Sequence, residues 1–275
     1  MIPPTSIDGT DITGATIDGT DVQEITVDGD VVFSGGPAPA PNLMYVADYA
    51  NDLLRQYDLN NKFDLTGATQ TATLSVNNVR DLDFSNAGND LYVSAYGDDR
   101  HEHYSCATPY DISNVTLQDV VAENDAHGIS VSPDGIDILL GDGSGNNVSY
   151  YQLSSPYDLS TKGSVISSEF IQNVAADCDF LNQGQNASCC DEDLIEFYDL
   201  TAPYDFSTRT NRQIFTTKSN SRGAFITDDG TKYFSANYND NLVREFNLSI
   251  PYDISTKGSP VDSLSVPNAI GLHMV

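Results

Sequence analysis

The sequence predicts an all-β fold: a five-bladed β-propeller, closed by its two ends and preceded by a small β-rich N-terminal arm. Three observations support this prediction. A unit of 47 or 48 residues occurs five times between residues 42 and 275. Each unit shows four short strand patterns separated by turn signals, and no stretch has the apolar period of a helix. The two ends of the repeat region together complete one of the five blades.

An aromatic residue followed by aspartate marks every unit, at Phe63-Asp64, Tyr110-Asp111, Tyr157-Asp158, Tyr204-Asp205 and Tyr252-Asp253. Successive aspartates are 47, 47, 47 and 48 residues apart, and a second aromatic residue lies seven positions before each of them. We interpret the pair as structural. The aromatic side chain is expected to fill space between blades, and the aspartate to accept N–H groups of its own loop in an Asx turn.

Strand positions follow from the alternation of apolar and polar residues. In the clearest unit we predict strands at 128–132, 136–141, 147–153 and 164–170, with Gly135 supplying the positive φ of the first turn. The segment at 42–47 aligns with a second strand and the segment at 269–274 with a first strand. One blade should therefore take its innermost strand from the C-terminal end, which removes the free edges of an open ring.

The region before the repeats has a different character. Residues 1–35 contain a ten-residue Asp-Gly repeat with seven acidic and no basic side chains, and residues 36–41 form a Pro/Ala spacer. The first of these segments is too small to bury a core of its own. We therefore predict an anchoring or assembly segment that folds against other chains, a linker, and a propeller over 42–275.

The charge is strongly negative, since 40 acidic and 12 basic residues give −28, with 33 Asp and only 5 Lys. Such a field repels nucleic-acid phosphates and anionic membranes, and no apolar run approaches the length of a membrane span. We expect neither a nucleic-acid partner nor membrane insertion. The Asp-rich, Lys-poor balance resembles proteins of extreme halophiles, in which salt screens the self-repulsion. An acidic protein of ordinary salt, or a calcium binder, is the alternative.

The repeats at 153–161 and 248–256, with the turns at 132–135 and 228–231, resemble the LS-x-PYDIST and SPDG repeats of propellers in tailed phages and related viruses. The Asp-Gly-rich segment at 16–32 is similar to N-terminal segments of haloarchaeal tailed-virus proteins. The resemblance implies a virion protein of the tail fibre, baseplate or capsid turret type. Its arm would dock on other virion proteins, with the chain homo-oligomeric in the particle, and its propeller would attach to host glycans or glycoproteins.

Three alternatives remain beside host attachment. One is a purely structural turret or decoration role on the particle. Another is a free lectin, although five-bladed lectins of the tachylectin kind rely on Trp and this chain has none. The last is a five-bladed glycosidase, which would use axial carboxylates as acid and base or nucleophile. No motif assigns such roles, so we predict a protein that is not an enzyme.

Candidate ligand-binding residues lie on the face where the loops vary, since binding is usually carried by variable loops on a rigid scaffold. Tyr49, Tyr96 and Tyr238 occupy equivalent positions there and offer flat apolar surfaces to sugar rings, with Asp and Asn as hydrogen-bond partners. A solvated acidic rim is the competing interpretation. The candidates are Tyr49, Asn51, Asp52, Tyr96, Asp98, Asp99, Arg100, His101, Glu102, Asp125, His127, Asp142, Asn146, Asp191, Glu192, Asp193, Tyr238 and Asp240.

The first strands carry four aspartates at positions where other units have small residues: Asp81, Asp83, Asp177 and Asp179. If this face points to the axis, like charges meet in a narrow channel. They must then be neutralised by raised pKa values, by Arg80 and Arg222, or by a bound Na⁺, K⁺ or Ca²⁺ ion. An axial cation is the only cofactor that the sequence suggests.

Histidine and cysteine add little chemistry. His101 and His103 share a strand face near Asp98, but we favour an exposed strand start over a metal cluster because no third ligand follows. Cys106 and Cys178 are predicted to be small buried apolar residues. The predicted hairpin register places Cys190 on the same face as Cys178, so a disulfide between them is possible.

Overall fold

The computed structural model describes residues 42–171, 177–190, 193–216 and 220–275, together with the backbone of four short strands nearer the N-terminus. The chain divides into two compact units, Met1–Ala40 and Pro41–Val275. In the first unit, two hairpins pair antiparallel strands: β1 (Ser6–Ile7) with β2 (Thr10–Asp11), and β3 (Glu24–Val27) with β4 (Asp30–Ser34). The predicted linker at 36–41 lies outside the described residues.

The second unit is built from five antiparallel sheets of four strands each, which we call blades I to V. Blade I contains β24 (Ala269–Met274), β5 (Leu43–Asp48), β6 (Leu53–Asp58) and β7 (Thr69–Ser75). Blade II contains β8 (Val79–Ser85), β9 (Asp90–Ala95), β10 (Arg100–Cys106) and β11 (Val115–Ala122). Blade III contains β12 (Ala126–Val131), β13 (Asp137–Asp142), β14 (Asn147–Gln152) and β15 (Ser167–Phe170).

Blade IV contains β16 (Asp177–Leu181), β17 (Asn186–Cys190), β18 (Leu194–Leu200) and β19 (Arg209–Thr216). Blade V contains β20 (Ser221–Ile226), β21 (Lys232–Asn237), β22 (Leu242–Asn247) and β23 (Asp262–Ser265). Within the described ranges, the helical structure consists of six single turns of 3-10 helix: Tyr49–Asn51, Asn86–Gly88, Tyr96–Asp98, Leu159–Thr161, Phe206–Thr208 and Ile254–Thr256. No helix in that part of the chain could cross a bilayer.

The blades form a closed ring. The first strands β8, β12, β16, β20 and β24 contact one another in that order around the axis, and β24 returns to β8. Blade I combines the two ends of the repeat region, because β24 pairs with β5 with Met274 opposite Met44. The five-bladed propeller closed by a strand from each end is therefore confirmed.

The repeated Tyr-Asp pair holds the loop on its own blade. Asp158 Oδ1 accepts the backbone N–H of Ser160 at 3.0 Å, so the predicted Asx turn is present. Tyr157 has a positive φ, and its ring lies against Gly135, where a Cβ atom would come within 2.2 Å of the ring. The expected packing between blades is present at Phe63, whose ring lies 5.8 Å from that of Phe225 in blade V, whereas the Tyr157 ring lies against its own blade. Contact with the neighbouring blade comes from its backbone carbonyl, which accepts a hydrogen bond from the hydroxyl of Tyr92 at 3.3 Å.

The cysteines are buried and unbridged, as Cys106, Cys178, Cys189 and Cys190 are all free thiols. Cys178 lies opposite Cys189, whereas Cys190 lies opposite Asp177. The predicted placement of Cys190 on the face of Cys178 is therefore wrong by one residue. Side chains alternate between faces, so a shift of one residue in register exchanges the two thiols.

Candidate functional site: an aromatic mouth on the propeller axis

An irregularity in strand pairing recurs near the start of the innermost strand. The register of β8 with β9 shifts between Val79 and Leu82, and comparable shifts occur in β12, β20 and β24. Such bulges re-aim the side chains they contain. The residues at the equivalent bulge position are Arg80, His127, Arg222 and Ile270. The equivalent position in blade IV is residue 176, which lies outside the described residues.

Three tyrosines follow directly on the second strand of their blades. Tyr49 comes after β5, Tyr96 after β9 and Tyr238 after β21, and all three are half-buried. The Tyr49 ring lies between the other two, with centroid distances of 6.3 Å to both Tyr96 and Tyr238. The structure therefore brings these predicted residues together across blades V, I and II. We call these three tyrosines, with Arg80, His127 and Arg222, the axial mouth.

Blade III contributes a histidine in place of a tyrosine. The residue after β13 is Gly143, and a Cβ atom there would lie 2.4 Å from the ring of His127. The glycine therefore leaves room for the imidazole, which lies 5.2 Å from the Tyr96 ring. In this way four aromatic rings from four successive blades form an arc around the axis.

Two guanidinium groups lie against the arc. The Cζ atom of Arg80 is 4.1 Å from the ring centre of Tyr49 and 4.5 Å from that of Tyr96. The Cζ atom of Arg222 is 5.5 Å from the ring centre of Tyr238. These are cation–π distances. Arg80 is only 7% exposed, so one face of Tyr49 and of Tyr96 is occupied by a buried cation rather than open to a ligand.

His127 is buried at the mouth, with 4% of its surface exposed. Neither of its ring nitrogens has a hydrogen-bond partner. Burial, together with the positive charges of Arg80 and Arg222, lowers the pKa of His127 to about 3. The imidazole is therefore neutral at neutral pH and offers one N–H donor and one nitrogen acceptor.

The four predicted axial aspartates are buried and mainly connect neighbouring blades. Asp81 accepts the backbone N–H of Ile129 at 2.8 Å, Asp83 that of Val131 at 2.7 Å, and Asp177 that of Ala224 at 2.9 Å. These contacts join blade II to blade III and blade IV to blade V. Asp179 Oδ2 is buried without a hydrogen-bond partner.

Desolvation raises the pKa of all four carboxyl groups, and repulsion from a neighbouring carboxylate raises it further for Asp81 (from Asp179), for Asp177 (from Asp81) and for Asp179 (from Asp177). The pKa of Asp83 rises to about 7. Among the described residues, no group of three or more His, Cys, Asp or Glu side chains is placed to hold a metal ion. Three of the four aspartates, Asp81, Asp83 and Asp177, are thus held by burial and backbone hydrogen bonds, and the axial cation stays a prediction.

Several predicted ligand-binding aspartates instead connect consecutive blades. Asp52 Oδ1 accepts the backbone N–H of Asn78 at 2.8 Å, and Asp99 Oδ1 that of Asp125 at 3.2 Å. The same bond recurs from Asn220 to Asp193 Oδ1 at 3.2 Å. We call these three contacts the loop clamps. They give the aspartate at this position a structural role.

The remaining candidates lie away from the axis or in internal contacts. Asp98 pairs with Arg100 at 3.1 Å, and Asp240 pairs with Arg244. The backbone carbonyl of Asn146 accepts the N–H of Ile171 at 2.8 Å. Internal partners also engage Asn51 through Asp48, Glu102 through Arg100, and Asp142 through Ser144. Asp191 and Glu192 lie outside the described residues.

The expected exposed strand start at His101 is wrong, because His101, Glu102 and His103 are all buried. His101 Nδ1 lies 3.0 Å from Ser94 Oγ, and burial lowers the pKa of His101 to about 3. His103 lies between two carboxylates, 2.7 Å from Asp90 and 2.8 Å from Asp119. These histidines therefore belong to the interior of blade II.

The three tyrosines and His127 were predicted from the sequence as candidate binding residues, whereas Arg80 and Arg222 were expected to neutralise the axial aspartates. The available signal was their position: Arg80, His127 and Arg222 each occupy the second residue of a first strand. Because that residue lies within the bulge, its side-chain direction cannot be derived from simple strand alternation.

Solved propellers share this architecture. A protein of Bacteroides fragilis provisionally named a 6-phosphogluconolactonase aligns with 91% of this chain and 72% of its own, with a TM-score of 0.50 and 13% identity. A similarly named protein of Bacteroides uniformis aligns with 86% of this chain and 72% of its own, at the same score and identity. No protein-family model and no curated protein matches the sequence. At this identity the likeness shows the fold alone.

Proposed function

We propose that this chain is a carbohydrate-binding attachment protein on the surface of a tailed virus particle from a high-salt environment. The unit Met1–Ala40 docks on the particle, and the propeller Pro41–Val275 presents the axial mouth to glycans of the host surface. The viral setting is supported by the sequence repeats, and the high-salt setting by the net charge of −28.

The observation that carries the binding role is the arc formed by Tyr238, Tyr49, Tyr96 and His127. Sugar rings present apolar C–H faces and polar edges, so they suit a site that combines aromatic rings with a few polar groups. The rings come from four successive blades of a closed sheet structure, and Arg80 stacks on two of them. The site is therefore preorganised, which reduces the entropic cost of binding.

The direct test measures glycan binding by the full chain in molar KCl. Tyr238→Ala should weaken binding about tenfold or more, since it removes one aromatic contact without uncovering Arg80. The matched control is Tyr104→Ala, a half-buried tyrosine that bonds Glu102 within blade II away from the mouth. Equal effects of the two variants, or no binding to any glycan, would reject the proposal.

Docking is tested by deleting residues 1–35. The propeller closes on itself through β24 and β5, so the shortened chain should still bind sugar but should be lost from purified particles. Normal incorporation of the shortened chain would reject the docking role. Retained sugar binding by a chain that never enters particles would instead favour the free lectin.

Catalysis is compatible with the architecture, because propellers provisionally named as 6-phosphogluconolactonases share it. Our proposal nevertheless assigns a binding role. Each axial aspartate has a raised pKa, and three of them are tied to a backbone N–H of the adjacent blade. A glycosidase would need a pair of carboxyl groups that can reach a substrate.

A further inference from the structure

Large apolar side chains are exposed on the outer strands of three consecutive blades. In the described part of the chain eight such side chains are exposed, and six of them belong to blades II, III and IV. We call β11, β15 and β19, with the two residues before β15, the apolar rim. Its exposed apolar residues are Leu117, Val120, Val165, Ile166, Phe170 and Ile214. Exposed apolar patches of this kind usually mark an interaction site.

The middle strand of the apolar rim also has an open edge. As the last strand of its sheet, β15 pairs with β14 on one side only. Soluble proteins usually protect such an edge with lysine, proline or a bulge. The strand β15 contains neither residue, and it pairs with β14 in unbroken register. One of its carbonyls, that of Ser168, accepts a hydrogen bond from Arg209 at 2.9 Å, so we expect a partner to pack against side chains rather than extend the sheet.

The charges of the apolar rim are balanced, in contrast to those of the whole chain. The three strands carry two acidic residues and two arginines, whereas the chain has a net charge of −28. Both acidic residues have partners: Asp119 lies 2.8 Å from His103, and Glu169 lies 2.7 Å from Arg209. An acidic surface would repel a second copy of this chain, and this surface would not.

We propose that the apolar rim is the contact surface between two copies of this chain, related by a two-fold axis near blade III. In a two-fold contact the same patch of each copy faces itself, so apolar side chains meet apolar side chains. The axis also places β19 of one copy, with Arg209 and Arg212, opposite β11 of the other, with Asp119. Charge complementarity and apolar contact therefore both favour a second copy as the occupant.

Phe170 is the expected anchor of this contact. It has 58% of its surface exposed, the largest exposed fraction among these apolar residues. Ile166 lies four positions before it in the segment that bonds to β14, so the two side chains share a face. Aromatic residues near the centre of an interface usually contribute most to binding.

Salt should strengthen the contact. Two chains that each carry −28 repel one another at a distance, even when the touching surfaces are neutral. The Debye length falls to about 3 Å at 1 M ionic strength, which removes this repulsion and leaves the apolar contact. The dimer should therefore form in molar KCl and dissociate in dilute buffer.

The experiment measures the mass of the full chain by sedimentation velocity in molar KCl over a series of protein concentrations. Wild type should convert from one copy to two as concentration rises. Phe170→Asp should raise the dissociation constant of the dimer at least about tenfold, because it places a charge in each half of the contact. Ile250→Asp is the matched control, since Ile250 is 55% exposed in the loop after β22, outside the apolar rim.

Two further measurements support the comparison. Melting curves verify that the variants fold, and Ile214→Asp repeats the test on blade IV with an expected loss in the same direction. Hydrogen exchange at low and high protein concentration locates the contact. Amides of β11, β15 and β19 should become more protected as the dimer forms.

Several results would overturn the inference. One is a wild type that stays monomeric up to about 100 μM in molar KCl. Another is a dimer that Phe170→Asp weakens no more than Ile250→Asp does, which would assign association to a different surface. Species of unlimited size would contradict a closed two-fold contact. The inference is separate from sugar binding, so Phe170→Asp should bind glycans as wild type does, and either proposal can fail alone.

Discussion

Asp83 shows how a single buried carboxyl group can link pH to stability. It accepts hydrogen bonds from Val131, Ser130 and Phe84, and His273 Nδ1 lies 3.4 Å from its Oδ1. Burial nevertheless raises its pKa from 3.8 to about 7. The folded protein therefore keeps a proton on Asp83 that the unfolded chain releases above pH 4.

We expect Asp83 to make the fold less stable as pH rises from about 4 to about 7, because the unfolded state binds fewer protons there. The effect should reach about 4 kcal/mol and stay constant above pH 7. Denaturant unfolding of wild type and Asp83→Asn at constant high salt measures it. The difference in free energy of unfolding, wild type minus variant, should fall with pH. A flat or rising difference would contradict the raised pKa.

Residue roles were only partly predictable from sequence. The alternation that puts Asp81 and Asp83 on one face of their strand could be read directly, and so could the equivalence of Tyr49, Tyr96 and Tyr238. Burial of His101 could not, because the short polar run at the start of β10 looks like a solvent-exposed strand end. Its interior position depends on how blade II packs against its neighbours, which is a tertiary effect.

At the scale of the element, the Tyr-Asp loop depends on a glycine in the turn between the first and second strands. Gly135 has φ of +72°, and any Cβ there would meet the Tyr157 ring. Gly135→Ala should destabilise the protein by about 1–3 kcal/mol through backbone strain and the displaced ring. Gly258→Ala is the control, since no atom lies within 4 Å of its Cβ position. Urea unfolding should separate the two variants.

Removing a loop clamp should lower the stability of the fold without weakening glycan binding. Asp52→Ala removes the acceptor for Asn78 and should cost about 1 kcal/mol, with more from the left-handed backbone at this position. Asp52→Asn keeps an acceptor and tolerates that backbone, so it should be nearly neutral. Glycan affinity should be unchanged in both. Weaker glycan binding by a stably folded Asp52→Asn would indicate that Asp52 contacts the ligand.

The predicted ends of the strands agree with the structure where glycine or proline marks the turn. The fourth strand of blade III was predicted at 164–170 but is observed at Ser167–Phe170, because Leu159–Thr161 forms a 3-10 turn before it. Local patterns do not reveal where an edge strand begins to pair. The bulges of the first strands were not predicted either, because apolar–polar alternation alone does not locate an inserted residue.

For the whole molecule, the negative charge destabilises the fold and ring closure stabilises it. The net charge of −28 opposes compaction, whereas the blades and the β24–β5 pairing hold the ring together. We expect the melting temperature to rise as KCl increases to molar concentration, because screening removes the repulsion. Thermal unfolding followed by circular dichroism tests this. A melting temperature independent of salt would contradict the high-salt assignment.

The five-blade architecture was predictable because the same pattern occurs five times. The strand pattern of one unit is a weak signal, but five units with the same residue spacing are specific for a propeller. The axial mouth was less predictable, since it is assembled from single residues of separate blades. Only the ring brings Tyr238, Tyr49 and Tyr96 together, with Arg222 against Tyr238.

The central claim, that the axial mouth is a sugar-binding site, is tested most directly by an experimental structure with a bound oligosaccharide. Crystals grown in concentrated salt and soaked with the tightest-binding oligosaccharide should show sugar density against Tyr238 and Tyr49. Ordered sugar on another surface, with the mouth filled only by solvent, would contradict the account.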